Sequence, residues 1–208
     1  MNTNLIITKS SVNEFRRRLL HMSTRFFERS FKHMKIPDKQ DIINDAKLII
    51  PGHCVPKERC TPVVICGHAQ MITKPATRAY MEHVKNCWLQ EYGQNQIVGS
   101  IEAHIKVFIS KPENVTPEQW EYMKAGLLRP SSIGGDVDNL AKSITDGLNK
   151  VAYPDDSLIC SIHCEKFFTD GEEYAEIELK SLNSELWLQM RNQCTGVKFR
   201  QKRGRISA

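Results

Sequence analysis

The sequence predicts an α+β domain: a mixed sheet of about four to five strands with helices packed on it. Two patterns predict it. Over 101–109, Ile101, Ala103, Ile105, Val107 and Ile109 alternate with Glu102, His104, Lys106 and Phe108, the period of a strand with one buried face. Over 137–151, Val137, Leu140, Ala141, Ile144, Leu148 and Val151 recur at helical spacing, and Asp138, Lys142, Asp146 and Asn149 fall on the opposite side. Strand-like and helix-like runs are interspersed on either side of both, which favours a sheet covered by helices.

The elements follow in chain order. Residues 1–45 form a basic helical extension. Within it, 11–35 carries the stripe Phe15, Leu19, Met22, Phe26 and Phe31, surrounded by Arg16, Arg17, Arg18, Arg25 and Arg29. Pro37 ends that helix, and 36–45 is a linker with a short helical turn. The main domain, 46–190, opens with a strand at 46–51. A second strand, 61–67, has β-branched content. Residues 77–92 read as a helix with Tyr80, Val84, Trp88 and Leu89 inward, followed by a strand over 96–109. Thr116-Pro117-Glu118-Gln119 is a helix start, with a Thr cap, Pro in the first turn and Gln three residues on; that helix runs to about residue 127. Residues 129–135 approach the 137–151 helix through two glycines. A strand at 158–167, a hairpin turn at 169–172 and a returning strand at 173–182 follow, with Ala175, Ile177 and Leu179 inward. A short helix at 184–193 leads into a basic tail, 191–208.

Composition narrows the function classes. No run of eighteen apolar residues is present, so no membrane span is expected, and the first residues lack the pattern of a secretory signal. The seven cysteines are odd in number and lack paired spacing, which suits free thiols in a reducing cytoplasm. His53, Cys54, Cys60, Cys66 and His68 lack the Cys-x₂-Cys step of a zinc site. The net charge of +5 is unevenly spread: residues 1–35 carry +6, residues 191–208 carry +6, and the middle carries −7. Basic ends around an acidic middle suggest arms that attract a polyanion and a centre that takes a metal.

The acidic middle is concentrated. Asp136 and Asp138 flank the first residue of the 137–151 helix, where backbone N–H groups favour an anion, and Asp155 and Asp156 follow in a turn. The plain reading is capping and turn chemistry, since Asp is common in both settings. The alternative is that a cation joins these carboxylates; oxygen-only ligands suit Mg²⁺ or Mn²⁺. Lys142, one turn beyond Asp138, has the same two readings: an intrahelical ion pair, or an ammonium aimed at a substrate phosphate.

The run 136–159, DVDNLAKSITDGLNKVAYPDDSLI, resembles the signature of the RusA family of Holliday-junction resolvases. An Asp-x-Asp-Asn-Leu-x-Lys run, an Asp-Gly-Leu-Asn step and an Asp-Asp turn occur there in the family's order. The close match spans about 134–167. Pro51-Gly52 to Pro56-Lys57-Glu58-Arg59, and Lys74 to Tyr80, resemble the family's opening strand, its Pro-Lys-x-Arg loop and its helix entry. The chain departs from the pattern just before the first Asp, where relatives often carry Lys/Arg and Pro and this chain has Ile133-Gly134-Gly135.

The resemblance implies a RusA-like fold and a Mg²⁺-dependent endonuclease, with Mn²⁺ as a substitute, that cuts four-way DNA junctions symmetrically as a homodimer in recombination and repair. It implies Asp136, Asp138 and Asp156 as metal ligands, with Asp155 as the alternative in the turn. It makes Lys142 catalytic and leaves Asn139 and Asp146 in support, Asp146 pairing with Lys142 or Lys150. Phosphate contacts are expected from Lys57, Arg59 and Arg129, and from Lys198, Arg200, Lys202, Arg203 and Arg205 in the tail. It implies a bacterial or phage origin. Two rivals stand beside this reading: a non-catalytic branched-DNA-binding protein of the same fold, and a broader flap or fork nuclease.

Overall fold

The computed structural model describes residue 34 and residues 37–65 and 68–189. The chain divides into two units, residues 36–185 and the two ends, 1–35 with 186–208. The helix expected over 11–35 and the basic tail lie outside the described residues.

Residues 36–185 contain eight strands among those described: β1 (Ile42–Ile43), β2 (Asp45–Pro51), β3 (Thr61–Ile65), β4 (His68–Ile72), β5 (Gln96–Ile97), β6 (Ile101–Ser110), β7 (Ile159–Thr169) and β8 (Tyr174–Ser181). Three helices accompany them: α1 (Pro75–Tyr92), α2 (Pro117–Lys124) and α3 (Val137–Leu148). The main sheet has the order β2-β8-β6-β7, with β6 and β7 parallel and the other pairs antiparallel. This is the expected mixed sheet. A parallel pair needs a long crossover, and α2 and α3 provide it between β6 and β7.

The alternation along β6 is realised in full: Ile101, Ala103, Ile105, Val107 and Ile109 are buried. Leu48 and Ile50 of β2 and Ala175, Ile177 and Leu179 of β8 share that buried face. Leu140, Ile144 and Leu148 of α3 and Val84 and Trp88 of α1 are fully buried too. The two helices meet closely at Gly147, where an added Cβ would lie 2.8 Å from the Met81 carbonyl oxygen. The capping box at Thr116 forms as expected, with Gln119 N–H donating to Thr116 Oγ1 and Thr116 N–H to Gln119 Oε1.

Several boundaries differ from expectation, each for a local reason. The hairpin expected at 169–172 is not one: β6 lies between β7 and β8, so the connection crosses the end of β6. Lys111 N–H bonds to Thr169 O, and Ser110 N–H to Glu173 Oε1, closing that crossing. The expected 61–67 strand is half of the β3–β4 hairpin, whose second strand went unpredicted. The 96–109 strand is interrupted at Gly99, which adopts φ +97 where Asn183 Oδ1 accepts from Ser100 N–H. α2 stops at Lys124. α3 stops at Leu148 and not at Val151, because Asn149 is extended and Lys150 takes a left-handed φ of 70°.

Candidate active site

Two segments deliver the carboxylates. The first is the approach to α3. Gly134 and Gly135 adopt φ of 75° and 82°, values that favour glycine. They are also tightly enclosed: a Cβ on Gly134 would meet Ile109 Cδ1 at 2.1 Å, and one on Gly135 would meet Pro56 Cγ at 2.7 Å. Asp136 follows in the N-cap position with extended backbone, yet its side chain makes no capping bond to the helix. Among the described residues its Oδ2 accepts only from the Asn139 side chain, at 3.4 Å. The plain capping reading of Asp136 is therefore not realised. Asp138, in the first turn, is exposed and makes no side-chain hydrogen bond or ion pair among the described residues.

The second segment is the turn 149–158. Lys150 N–H closes it on Tyr153 O at 2.9 Å, and the Lys150 ammonium donates to Pro154 O at 2.8 Å and to Asp155 at 2.5 Å. Asp155 also accepts from the N–H and hydroxyl of Ser157. The bond from Lys150, with those from Ser157, lowers its pKa to about 2. Tyr153 is fully buried and its hydroxyl donates to Thr145 O at 2.6 Å, which ties the turn to α3. Asp155 is thus committed to the turn. Asp156, next to it, has no side-chain partner among the described residues and lines the cleft.

That cleft, about 810 Å³, is lined along α3 by Asp138, Lys142 and Asp146 and across from it by Asp156. It has room for a stretch of sugar–phosphate as well as an ion. A second cleft, on the other side of Asp138, is lined by Asp136, Asn139, Lys57, Arg59 and Lys74. Asp138 therefore borders both.

Lys142 is exposed in the first cleft and makes no ion pair among the described residues, so the intrahelical pairing with Asp138 or Asp146 does not form. Asp146 pairs instead with Lys57, correcting the expected Lys142 or Lys150. Lys57 N–H also bonds to Asn139 O at 2.9 Å, so the 52–59 loop is stitched to α3 at two points.

The donor chemistry suits a hard divalent cation. Asp136, Asp138 and Asp156 offer carboxylate oxygens without internal cations. The soft donor nearby, Cys164, has its thiol pushed up to about 11 by burial and stays protonated at neutral pH. Among the described residues no three His, Cys, Asp or Glu side chains already converge into a metal cage. Mg²⁺ does not require one: it keeps several waters and binds through one or two carboxylates plus substrate phosphates. The residues present fit such an ion.

The cations expected to meet DNA are placed unequally. Arg59 is exposed beside the second cleft with no partner among the described residues. Lys57 is spent on Asp146. Arg129 is also spent internally: its guanidinium donates to Glu165 at 2.6 Å and to Gly126 O, and stacks 4.3 Å over Phe167. Lys198, Arg200, Lys202, Arg203 and Arg205 lie outside the described residues.

Two lysines had no site role in the sequence reading, although Lys74 opens the segment that resembles the family's helix entry. Lys74, bordering the second cleft, pairs with Glu58. Lys166 is buried, with its ammonium on Ile133 O at 3.0 Å and Gly135 O at 2.9 Å. Its signal was available: it pairs in register with Val107, on the inward side of β7, where a lysine is anomalous.

With this geometry in place, comparison with known proteins is informative. The family model for endodeoxyribonuclease RusA matches residues 51–180, well over half of the chain and the whole of the site. The chain is also 26% identical over 140 residues to a Bacillus subtilis (strain 168) protein named "Uncharacterized protein YqaN", covering 66% of this chain and 97% of that one. The chain belongs to the RusA family of endodeoxyribonucleases.

Proposed function

We propose that this RusA-family member is a Mg²⁺-dependent endonuclease that resolves Holliday junctions by paired phosphodiester cleavage. The observation that carries the reading is selective neutralisation around one cleft. Asp155 and Asp146 are each matched by a lysine, whereas Asp138, Asp156 and Lys142 face the same space without a partner among the described residues. Exposed charges of both signs left open to one cleft are useful to a site that takes a cation and a phosphate.

In this reading Asp136, Asp138 and Asp156 hold the ion. When bound, Mg²⁺ or Mn²⁺ supplies an activated water at neutral pH and neutralises charge on the phosphate. Lys142 directs its ammonium at the scissile phosphate and stabilises charge that grows there in the transition state. Asn139 orients Asp136 through its amide. Arg59, beside Asp138, and the basic residues 198–205 attract the DNA backbone. Two symmetric cuts across a four-way junction call for two sites related by a two-fold axis, so the working form is a homodimer. The free thiols suit a reducing bacterial cytoplasm or a phage-infected host.

The test is a synthetic four-way junction, compared with flap, fork and linear duplex, with Mg²⁺ titrated in. Mg²⁺-dependent paired nicks preferring the junction are expected. Equal cutting of flaps and forks would broaden the substrate class. Binding without any cutting would leave only a branched-DNA-binding protein.

A further inference from the structure

Lys166 is an unusual residue for its place. It is only 8% exposed, yet no carboxylate pairs with it among the described residues. A buried ammonium is costly unless its protons are used. Here two are used on backbone carbonyls of one short loop, Ile133 O at 3.0 Å and Gly135 O at 2.9 Å. The Gly135 carbonyl belongs to the peptide unit that joins Gly135 to Asp136. The same loop is wedged by Ile109 and Pro56 at its two left-handed glycines. Asp136 itself contributes little to its own placement, since its side chain makes no capping bond. Its position is set from outside, by β6, by the 52–59 loop and by Lys166.

We propose that Lys166 is a positioning residue for the metal site: its ammonium fixes the Gly135–Asp136 peptide and so holds the Asp136 carboxylate where a divalent ion needs it. The inference rests on the metal-centre reading above. Charge-assisted hydrogen bonds of this kind are directional and strong in a dry setting. Loss of a partner that orients a ligand lowers metal affinity by roughly ten- to a hundred-fold. The cation also sits behind the helix N-terminus and makes the approach to α3 more hospitable to an anion.

The test uses the full chain and Mn²⁺ as probe, with free Mn²⁺ counted by electron paramagnetic resonance. Lys166→Met is expected to raise the Mn²⁺ dissociation constant at least about ten-fold, while junction affinity in EDTA stays within about two-fold of wild type. The Mg²⁺ concentration for half-maximal cleavage should shift in the same direction, and high Mg²⁺ should restore part of the rate. Lys166→Gln, which keeps N–H donors, should lose less, and it carries the test alone if the Met variant does not fold. Unaltered Mn²⁺ affinity in the folded Met variant, or in the Gln variant where only that one folds, beside normal wild-type uptake, overturns this inference and leaves the metal centre standing. A wild type that takes up no Mn²⁺ overturns the metal centre and this inference with it.

Discussion

The approach to α3 and the turn after it bring carboxylates to two adjoining clefts, both bordered by Asp138, by opposite means. The 149–158 turn is held largely by near neighbours: Lys150, Tyr153, Asp155 and Ser157 bond within five residues of one another, the Val151 and Ala152 N–H groups and the Tyr153 hydroxyl bond back to α3, and Gln96 and Ile97 of β5 donate to Lys150 O and Ala152 O. The 129–135 approach is held by strangers, Pro56, Ile109 and Lys166, each distant in sequence. One aspartate in the turn is consumed by this local bonding, and its neighbour is left free. In the approach no aspartate is consumed, because the scaffold comes from elsewhere. A locally closed turn therefore uses charged side chains as structure, and an externally clamped loop spares them.

The largest effects should come from the carboxylates that each segment leaves free. Asp138→Asn and Asp156→Asn are each expected to lower junction cleavage on the order of 10³-fold, with junction binding in EDTA retained. Gel-based rates at saturating protein measure this. If only the Asp138 variant fails, the turn does not supply a ligand and the symmetry between the segments is lost.

Lys142 comes next. Lys142→Ala should slow cleavage by about 10²- to 10³-fold. Because the ammonium has no partner among the described residues, stability by thermal melting should change by less than about 0.5 kcal/mol. A large loss of stability with proportionate loss of activity would return Lys142 to a structural role.

The clamped loop itself is tested by Gly135→Ala. The methyl group would meet the Pro56 ring at 2.7 Å, at a φ of +82° that strains any residue with a Cβ. The expected cost is about 1–3 kcal/mol of stability, together with a higher Mg²⁺ requirement for cleavage. A variant as active and as Mg²⁺-sensitive as wild type would show that the glycine's enclosure does not govern Asp136.

The same contrast explains what the sequence made legible. The alternation of β6, the Thr116 capping box and the polar face of α3 are local patterns, and each appears where the residues place it. The distribution of roles within Asp155-Asp156 needed three-dimensional partners, although Lys150 lay only five residues away. The pairing of Asp146 with Lys57 and the internal use of Arg129 were not legible, because both partners are remote in sequence: Lys57 precedes Asp146 across four strands and two helices, and Glu165 lies on the far side of α3. The β7–β8 connection looked like a hairpin because a short polar turn between two strands carries no mark of a third strand seated between them.

The smallest effect belongs to Asp155, and it separates the neighbours most cleanly. Its folded pKa of about 2 lies below the ordinary aspartate value of 3.8, so the carboxylate form is favoured by folding. That contribution is fully present above about pH 4 and is lost as pH falls through 2. Both partners are on the surface, so after solvent screening its worth is about 0.5 kcal/mol. Asp155→Asn keeps an acceptor for Ser157 and gives up the charge opposite Lys150. Its stability should match wild type at pH 2 and fall slightly below it at pH 5, as read by urea unfolding at the two pH values. Cleavage at neutral pH should stay within a few-fold of wild type, against the thousand-fold loss expected one residue later at Asp156. If Asp155→Asn abolished Mn²⁺ uptake while Asp156→Asn did not, the assignments would exchange, and the Lys150 pair would be a resting contact that the ion displaces.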